Sequence, residues 1–375
     1  MLAAQATLRD RLEREPVAFF VRIADDLMAA ARAELAGFLG ADPERLAYVP
    51  NATAGVNTVL RSLAPHWSPG DELITTDHEY NACRNALDYV AGLTGARVVV
   101  VAVPFPIAGP EQVVEAVAAA LTPRTRLVLI DHVTSPTGLV FPVAEIAARA
   151  AAAGAEVLVD GAHAPGMLPL DLRTLEAAGV TYYTGNLHKW VCAPKGAAFL
   201  HVAAERLERV RPLSISHGAN ANLRGRSRFR VEFDWTGTAD PTPFLAVPHA
   251  LAFMAARLPG GWPAVMAANH AKVLAGRDTL CAALGVSAPA PDAMLGSLAT
   301  LPLPDGDGAP PRSPLYLDAL QDALFDEDHI EVPIVPWPAP PKRWVRISAQ
   351  LYNTPADYTR LALALIARVG GPGRS

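Results

Sequence analysis

Long apolar runs are missing from this chain. None is long enough to span a bilayer, and no charged start followed by an apolar core marks a leader after Met1. The expectation is a protein with no membrane partner. Charge is sparse too: 18% of residues are charged and the net charge is −5, so nothing predicts nucleic acid or acidic lipid as a partner. Cysteine is scarce. Cys83, Cys192 and Cys281 are odd in number and far apart, and they form neither a disulfide framework nor a metal spacing. That pattern points to a reducing cytoplasm. Lysine is nearly absent, occurring only at Lys189, Lys195, Lys272 and Lys342, while arginine supplies the remaining positive charge. A low-pKa amine is the one property arginine cannot supply, so a lysine in an apolar and aromatic setting stands out. There is no internal repeat. The one low-complexity stretch, Pro-Trp-Pro-Ala-Pro-Pro at 336–341, reads as a stiff loop.

What is present is apolar and regular. A hydrophobic content of 51% over 375 residues predicts a well-buried protein of two domains. Residues 8–39 carry helical spacing and predict two helices broken near Pro16. From Leu46 short apolar runs alternate with helical periods. Strands are expected at 47–49, 73–75, 98–103, 127–130, 157–159, 181–183 and 197–200, with helices over 53–63, 80–92, 111–121, 143–153 and 171–178. Apolar runs without alternation suit strands buried on both faces, and their alternation with helices predicts a mainly parallel α/β sheet. Past Pro243 the pattern shifts. Helices over 244–257 and 262–283 lead to a Pro/Ala/Gly-rich stretch at 287–313, a helix over 315–324, strands at 330–335 and 344–348, and a last helix over 355–368. The domains expected are N-terminal helices packing with the small domain (1–40), a large α/β domain (41–243) and a small α+β domain (244–375).

Polar residues recur just beyond the expected strands, where open α/β sheets bind ligands. They are Asn51 and Thr53; Asp77, His78 and Tyr80; Asp131, His132 and Ser135; Asp160 and His163; His188 and Lys189. Asn51-Ala52-Thr53-Ala54-Gly55 opens a helix with small residues, which suits a phosphate on free backbone N–H groups and suits plain helix capping as well. Tyr80 offers an aromatic face for a flat cofactor, or is a half-buried helix-start tyrosine. Asp160 follows a run of apolar strand residues, where a carboxylate needs a partner; a protonated ring nitrogen or a helix start would serve. His163 suits ring contact or a satisfied core histidine. Lys189, between His188 and Trp190, has the setting of a Schiff-base lysine.

These stretches resemble the class V aminotransferase family of fold-type I enzymes of pyridoxal 5′-phosphate (PLP), most of all its isopenicillin N epimerase-like branch. The resemblance rests on NATAGVN (51–57), TTDHEYNACRNAL (75–87), DHVTSPTGLVFPV (131–143), DGAHAPGMLPLDL (160–172), YYTGNLHKW (182–190), FDWTGTADPT (233–242) and VRISAQLYNT (345–354). It implies a large domain with a mainly parallel, seven-stranded type of sheet plus a small α+β C-terminal domain. By that resemblance Lys189 matches the lysine that carries the cofactor, Asp160 the pyridine-nitrogen partner, His163 the neighbour of the phenolic oxygen and Tyr80 the ring-stacking residue. Ala52, Thr53, Asn186 and His188 match phosphate-binding positions, and Ser135 a polar contact to the ring. Thr238 resembles the threonine that reaches the phosphate of the partner subunit, which implies a homodimer with shared sites. Arg346 matches the arginine that grips the substrate α-carboxylate.

The chain departs from its relatives in two respects. It lacks the small-residue turn that usually precedes the first helix, so the expectation is either a different entrance to the site or a shortened start. It also has no cysteine in 328–345, where cysteine desulfurases place their nucleophile, which argues against persulfide transfer. The implied chemistry acts at the α-carbon of an amino acid through an external aldimine and a carbanion. It ends in epimerisation, β-elimination with C–S cleavage of the cysteine-conjugate or hercynylcysteine sulfoxide type, or transamination. Tyr80, or a histidine near it, is a candidate second acid for the first. The 217–230 loop, with Arg224, Arg226, Arg228 and Arg230, is a candidate second-carboxylate site or an exposed basic loop. A different class, a metal hydrolase built from Asp77, His78, Asp131, His132, Asp160 and His163, leaves Lys189, Thr238 and Arg346 without roles.

Overall fold

The computed structural model describes residues 1–309 and 318–370. Seven of the apolar runs form one sheet. Its strands are β1 (Leu46–Val49), β2 (Glu72–Thr76), β3 (Arg97–Val101), β4 (Thr125–Asp131), β5 (Glu156–Asp160), β6 (Tyr182–Asn186) and β7 (Ala198–Val202). They lie in the order β1-β7-β6-β5-β4-β2-β3. The block from β6 to β3 is parallel, and β7 runs against both of its neighbours. Parallel neighbours need crossovers, which the helices Asn81–Thr94, Glu111–Ala120, Val143–Ala152 and Leu172–Ala177 supply.

Side chains alternate between two apolar layers. Val128, Ile130, Val157, Val159 and Tyr183 enter one, and Leu127, Leu129, Leu158 and Tyr182 enter the other. Covering on both faces is why these central strands read as unbroken apolar runs. β3 reads the same way and is different: it is the sheet edge, and Val100 is 41% exposed. An apolar run reports a strand but does not say how many neighbours it has.

The break near Pro16 is present, between helices Leu2–Arg14 and Ala24–Leu39, with a widened helical turn over Phe19–Ile23. Gly40, at φ +61°, ends the second helix in the left-handed conformation that glycine adopts without strain. After the sheet come the helices Val247–Ala255 and Gly261–Leu284 and an antiparallel sheet of β8 (Leu298–Pro302), β9 (Ile334–Val335) and β10 (Trp344–Ser348), ordered β8-β10-β9. β8 lies inside the Pro/Ala/Gly-rich stretch at 287–313, where no strand is expected. The strand expected at 330–335 shrinks to Ile334–Val335, since Pro333 has no N–H for the ladder. The helix expected over 315–324 is seen as Ala319–Asp326, with 315–317 lying outside the described residues. Among the described residues no helix is long and apolar enough to cross a membrane.

Candidate active site

β1, β2, β4, β5 and β6 all point their carboxyl ends to one rim, and a cavity of about 200 Å³ opens there. The residues that follow those strands line it: Ala52 and Thr53, Tyr80, Ser135, then Asp160 and His163, then Asn186, His188 and Lys189. Arg346 arrives from β10 and donates from Nη1 to the carbonyl oxygen of Ser135 and, at 3.1 Å, to its hydroxyl. A larger groove of about 610 Å³, lined by Phe38, Met167 and Trp262 among others, holds no cluster of charged groups and is not this centre.

Lys189 and His163 meet in this cavity, with Nζ 2.9 Å from Nε2. Burial draws the Lys189 amine down to about 8, against the opposing pull of Asp160, so both of its protonation states are within reach near neutral pH. Burial, then the charges of Lys189 and Arg346, hold His163 well below the ordinary imidazole value. A neutral His163 that accepts from Lys189 through Nε2 keeps its proton on Nδ1, a buried atom with no partner. Asp160, 2% exposed, ends the central strand β5. Its Oδ1 accepts from the Ala162 amide at 2.9 Å and its Oδ2 from the Cys83 thiol at 3.0 Å.

One corner of the cavity is built at the start of helix Ala52–Leu63. Asn51 caps that helix by accepting from the Ala54 amide at 2.8 Å, while Asn186 Oδ1 takes the Ala52 amide at 2.8 Å. Asn186 therefore anchors the helix to β6 and keeps its amide nitrogen for other contacts. Gly55 permits the close approach: a Cβ there would sit 2.1 Å from Thr184 Oγ1. His188 donates from Nδ1 to the Ala197 carbonyl at 2.9 Å, which leaves Nε2 as its second contact.

Other residues go elsewhere. Thr238 is exposed and does not line this cavity. Asp77 accepts from the Val103 amide at 3.0 Å, and His78 is buried between Thr137 Oγ1 and the Val103 carbonyl, against Phe105, Phe141 and Trp337. His132 meets the Tyr183 hydroxyl at 2.8 Å. The histidines of the hydrolase set are thus engaged separately. Among the described residues the one metal-sized cluster, Glu79, Cys83 and Asp160, contains none of them. In the arginine loop, Arg226 faces Asp25 and Asp234, Arg228 faces Glu208, and Arg230 is buried against Glu44 and Asp234. Three of the four arginines already have acidic partners. Sequence reasoning missed Cys83 as a neighbour of Asp160. It also left Asp131, another carboxylate ending an apolar strand and lining the cavity, out of the PLP site; the argument made for Asp160 applies to it equally.

The sheet order and the strand-end lysine centre define an α/β enzyme architecture of fold-type I. The family described as aminotransferase class-V matches residues 18–256, and the chain belongs to that family. It is 36% identical to an isopenicillin N epimerase of Amycolatopsis lactamdurans, over 96% of this chain and 90% of the relative. It is 30% identical to a putative L-cysteine desulfhydrase of Oryza sativa subsp. japonica, over 96% and 78%. Among solved structures, a C-DES mutant with glycine covalently linked to its PLP cofactor superposes with a TM-score of 0.77 at 24% identity, over 97% of this chain and 92% of that one, which shows the shared fold.

Proposed function

We propose that this chain is a PLP-dependent enzyme acting at the α-carbon of an amino acid, and that its reaction is an epimerisation of the isopenicillin N epimerase type. The observation that carries the reading is the meeting of Lys189, His163 and Asp160 in one rim cavity, with the amine drawn toward neutrality. The residues fit PLP. Asp160 is a buried carboxylate suited to a ring nitrogen. His163 Nδ1 is a buried donor with no protein partner, suited to the phenolic oxygen. Ala52, Thr53, Asn186 and His188 would hold the phosphate, Tyr80 and Ser135 would contact the ring, and Lys189 would take the aldehyde. Bound there, PLP supplies an electron sink for negative charge at the substrate α-carbon.

The protein residues do the rest. Arg346, whose buried Nε has no partner, binds the substrate carboxylate and fixes the α-carbon relative to Lys189. Lys189 Nζ takes the α-proton, and His163 Nε2 holds the amine in place by accepting from it. Epimerisation needs a second acid on the other face. Tyr80, 44% exposed, lines the cavity and lies within electrostatic reach of Arg346, and we assign its hydroxyl that task. Support for epimerisation comes from relatives of that name at 36% and 35% identity. A second reading, β-elimination from a cysteine-like substrate, has support in the L-cysteine desulfhydrases and needs only Lys189 and a leaving group.

The exposed position of Thr238 supports its reaching the partner's site in a homodimer. The three free thiols support a reducing, cytoplasmic setting. We keep the division into 1–40, 41–243 and 244–375 as the domain plan. The test is incubation with L-amino acids in heavy water. α-Deuteration with inversion supports epimerase; pyruvate with a sulfur product replaces it by lyase, and a keto acid with pyridoxamine phosphate by aminotransferase. Protein that neither turns yellow nor fixes PLP under borohydride would sink the cofactor assignment.

A further inference from the structure

Behind the cavity wall that Asp131 and Asp160 help to form sits more acid than one ring nitrogen calls for. Glu79, Asp131 and Asp160 are all buried there, and Cys83, fully buried in the first turn of helix Asn81–Thr94, lies among them. Ligand-type atoms of Glu79, Cys83 and Asp160 fall within 4.8 Å of one another, and Asp131 is the register partner of Asp160 on the next strand. Like charges so close in a buried place do not all ionise.

The hydrogen bonds say where the charge sits. Asp160 receives two donors, the Ala162 amide and the Cys83 thiol. Glu79 Oε2 meets the Thr75 hydroxyl at 3.2 Å, while Glu79 Oε1 and Asp131 Oδ2 have no partner.

We propose that Cys83 is a positioning residue whose thiol proton keeps the single negative charge of this cluster on Asp160, with Glu79 and Asp131 carrying protons. The inference rests on reading Asp160 as the partner of the PLP ring nitrogen. Burial and the neighbouring acids hold Glu79, Asp131 and the Cys83 thiol well above their ordinary values, in keeping with two neutral acids and a thiol that donates. The other titratable or charged groups facing the cluster are Lys189, Arg84 and the buried phenol of Tyr183 beside Asp160. One negative charge here balances one pyridinium; three would leave it surrounded.

The test is PLP retention by the holoenzyme against a carbonyl-reagent trap, followed by loss of the visible band. Cys83→Ala should weaken retention by roughly tenfold, the effect of removing one hydrogen bond to a charged group. Cys83→Ser, which keeps a donor, should stay within about threefold of wild type, as should Glu79→Gln, whose amide mimics a neutral acid. Cys83→Ala and Cys83→Ser behaving alike would overturn the inference, and so would Glu79→Gln losing PLP tenfold. The Glu79→Gln arm decides the case if Cys83→Ala does not fold. Asp160→Asn separates the two levels. If it retains PLP like wild type, the reading of Asp160 fails; if it releases PLP while Cys83→Ala does not, only the role of Cys83 fails.

Discussion

β2 and β5 carry acids at both rims of the sheet and β4 carries one at its carboxyl rim, and the two rims treat them in opposite ways. At the amino rim Glu72 accepts from Arg97, Arg124 and the Thr122 hydroxyl, and those hydrogen bonds hold its carboxyl down at about 2. Glu156 likewise accepts from Arg206, Arg209 and Tyr182. At the carboxyl rim Glu79 and Asp131 keep unpartnered oxygens and are pushed upward. One rim has its charges satisfied by the protein, while the other is left with groups that a ligand can satisfy. The same strands therefore hold the fold together at one end and leave the other reactive.

The comparison can be broken by mutation. Changes to the carboxyl-rim groups that would touch cofactor or substrate should remove function with little loss of stability, and amino-rim changes should do the reverse. Lys189→Ala should end borohydride-fixable PLP and lower turnover by ~10³-fold or more while leaving the unfolding temperature close to wild type. A large drop in Tm would erase the distinction. Arg346→Ala should lower kcat/KM by ~10²-fold, mostly through KM for the amino acid, since it removes one partner of a buried charge pair. Steady-state kinetics decide this.

Covalent capture of PLP needs the neutral amine. Below the Lys189 value of about 8 its rate should climb by roughly tenfold per pH unit and then level off above it, as read by stopped-flow absorbance. A flat profile would mean that the amine is not drawn down. At the other rim, Glu72→Gln should lower Tm by several degrees and leave PLP capture unchanged. Glu72 is held below its ordinary 4.5, so its contribution is complete above that pH and is lost as pH falls toward about 2. Acid unfolding followed by circular dichroism should therefore come at a higher pH in the variant. The smallest effect is expected from Thr238→Ala, about threefold weaker PLP retention, felt only when two subunits are paired.

Much of this was legible from residue order. Each central strand announced itself as an apolar run, and the polar residue after it marked the rim, so nine of the expected site residues meet at one cavity. What stayed hidden depends on neighbours far away in sequence. Cys83 touches Asp160 only because a helix turn settles over a strand 77 positions away. Arg226, Arg228 and Arg230 read as free charge because Asp25, Glu208 and Glu44 give no local sign of turning toward them. β8 was masked by its composition, since its partner β10 rather than its own propensity makes it a strand.

Gly55 gives this centre a fixed ruler. With no room for even a methyl group between the helix and Thr184, the height of the helix start above the sheet cannot drift in small steps as the sequence changes. Descendants of this protein that take up new substrates are expected to vary the loops and the strand that carries Arg346, while the corner at Ala52 and Thr53 is inherited whole.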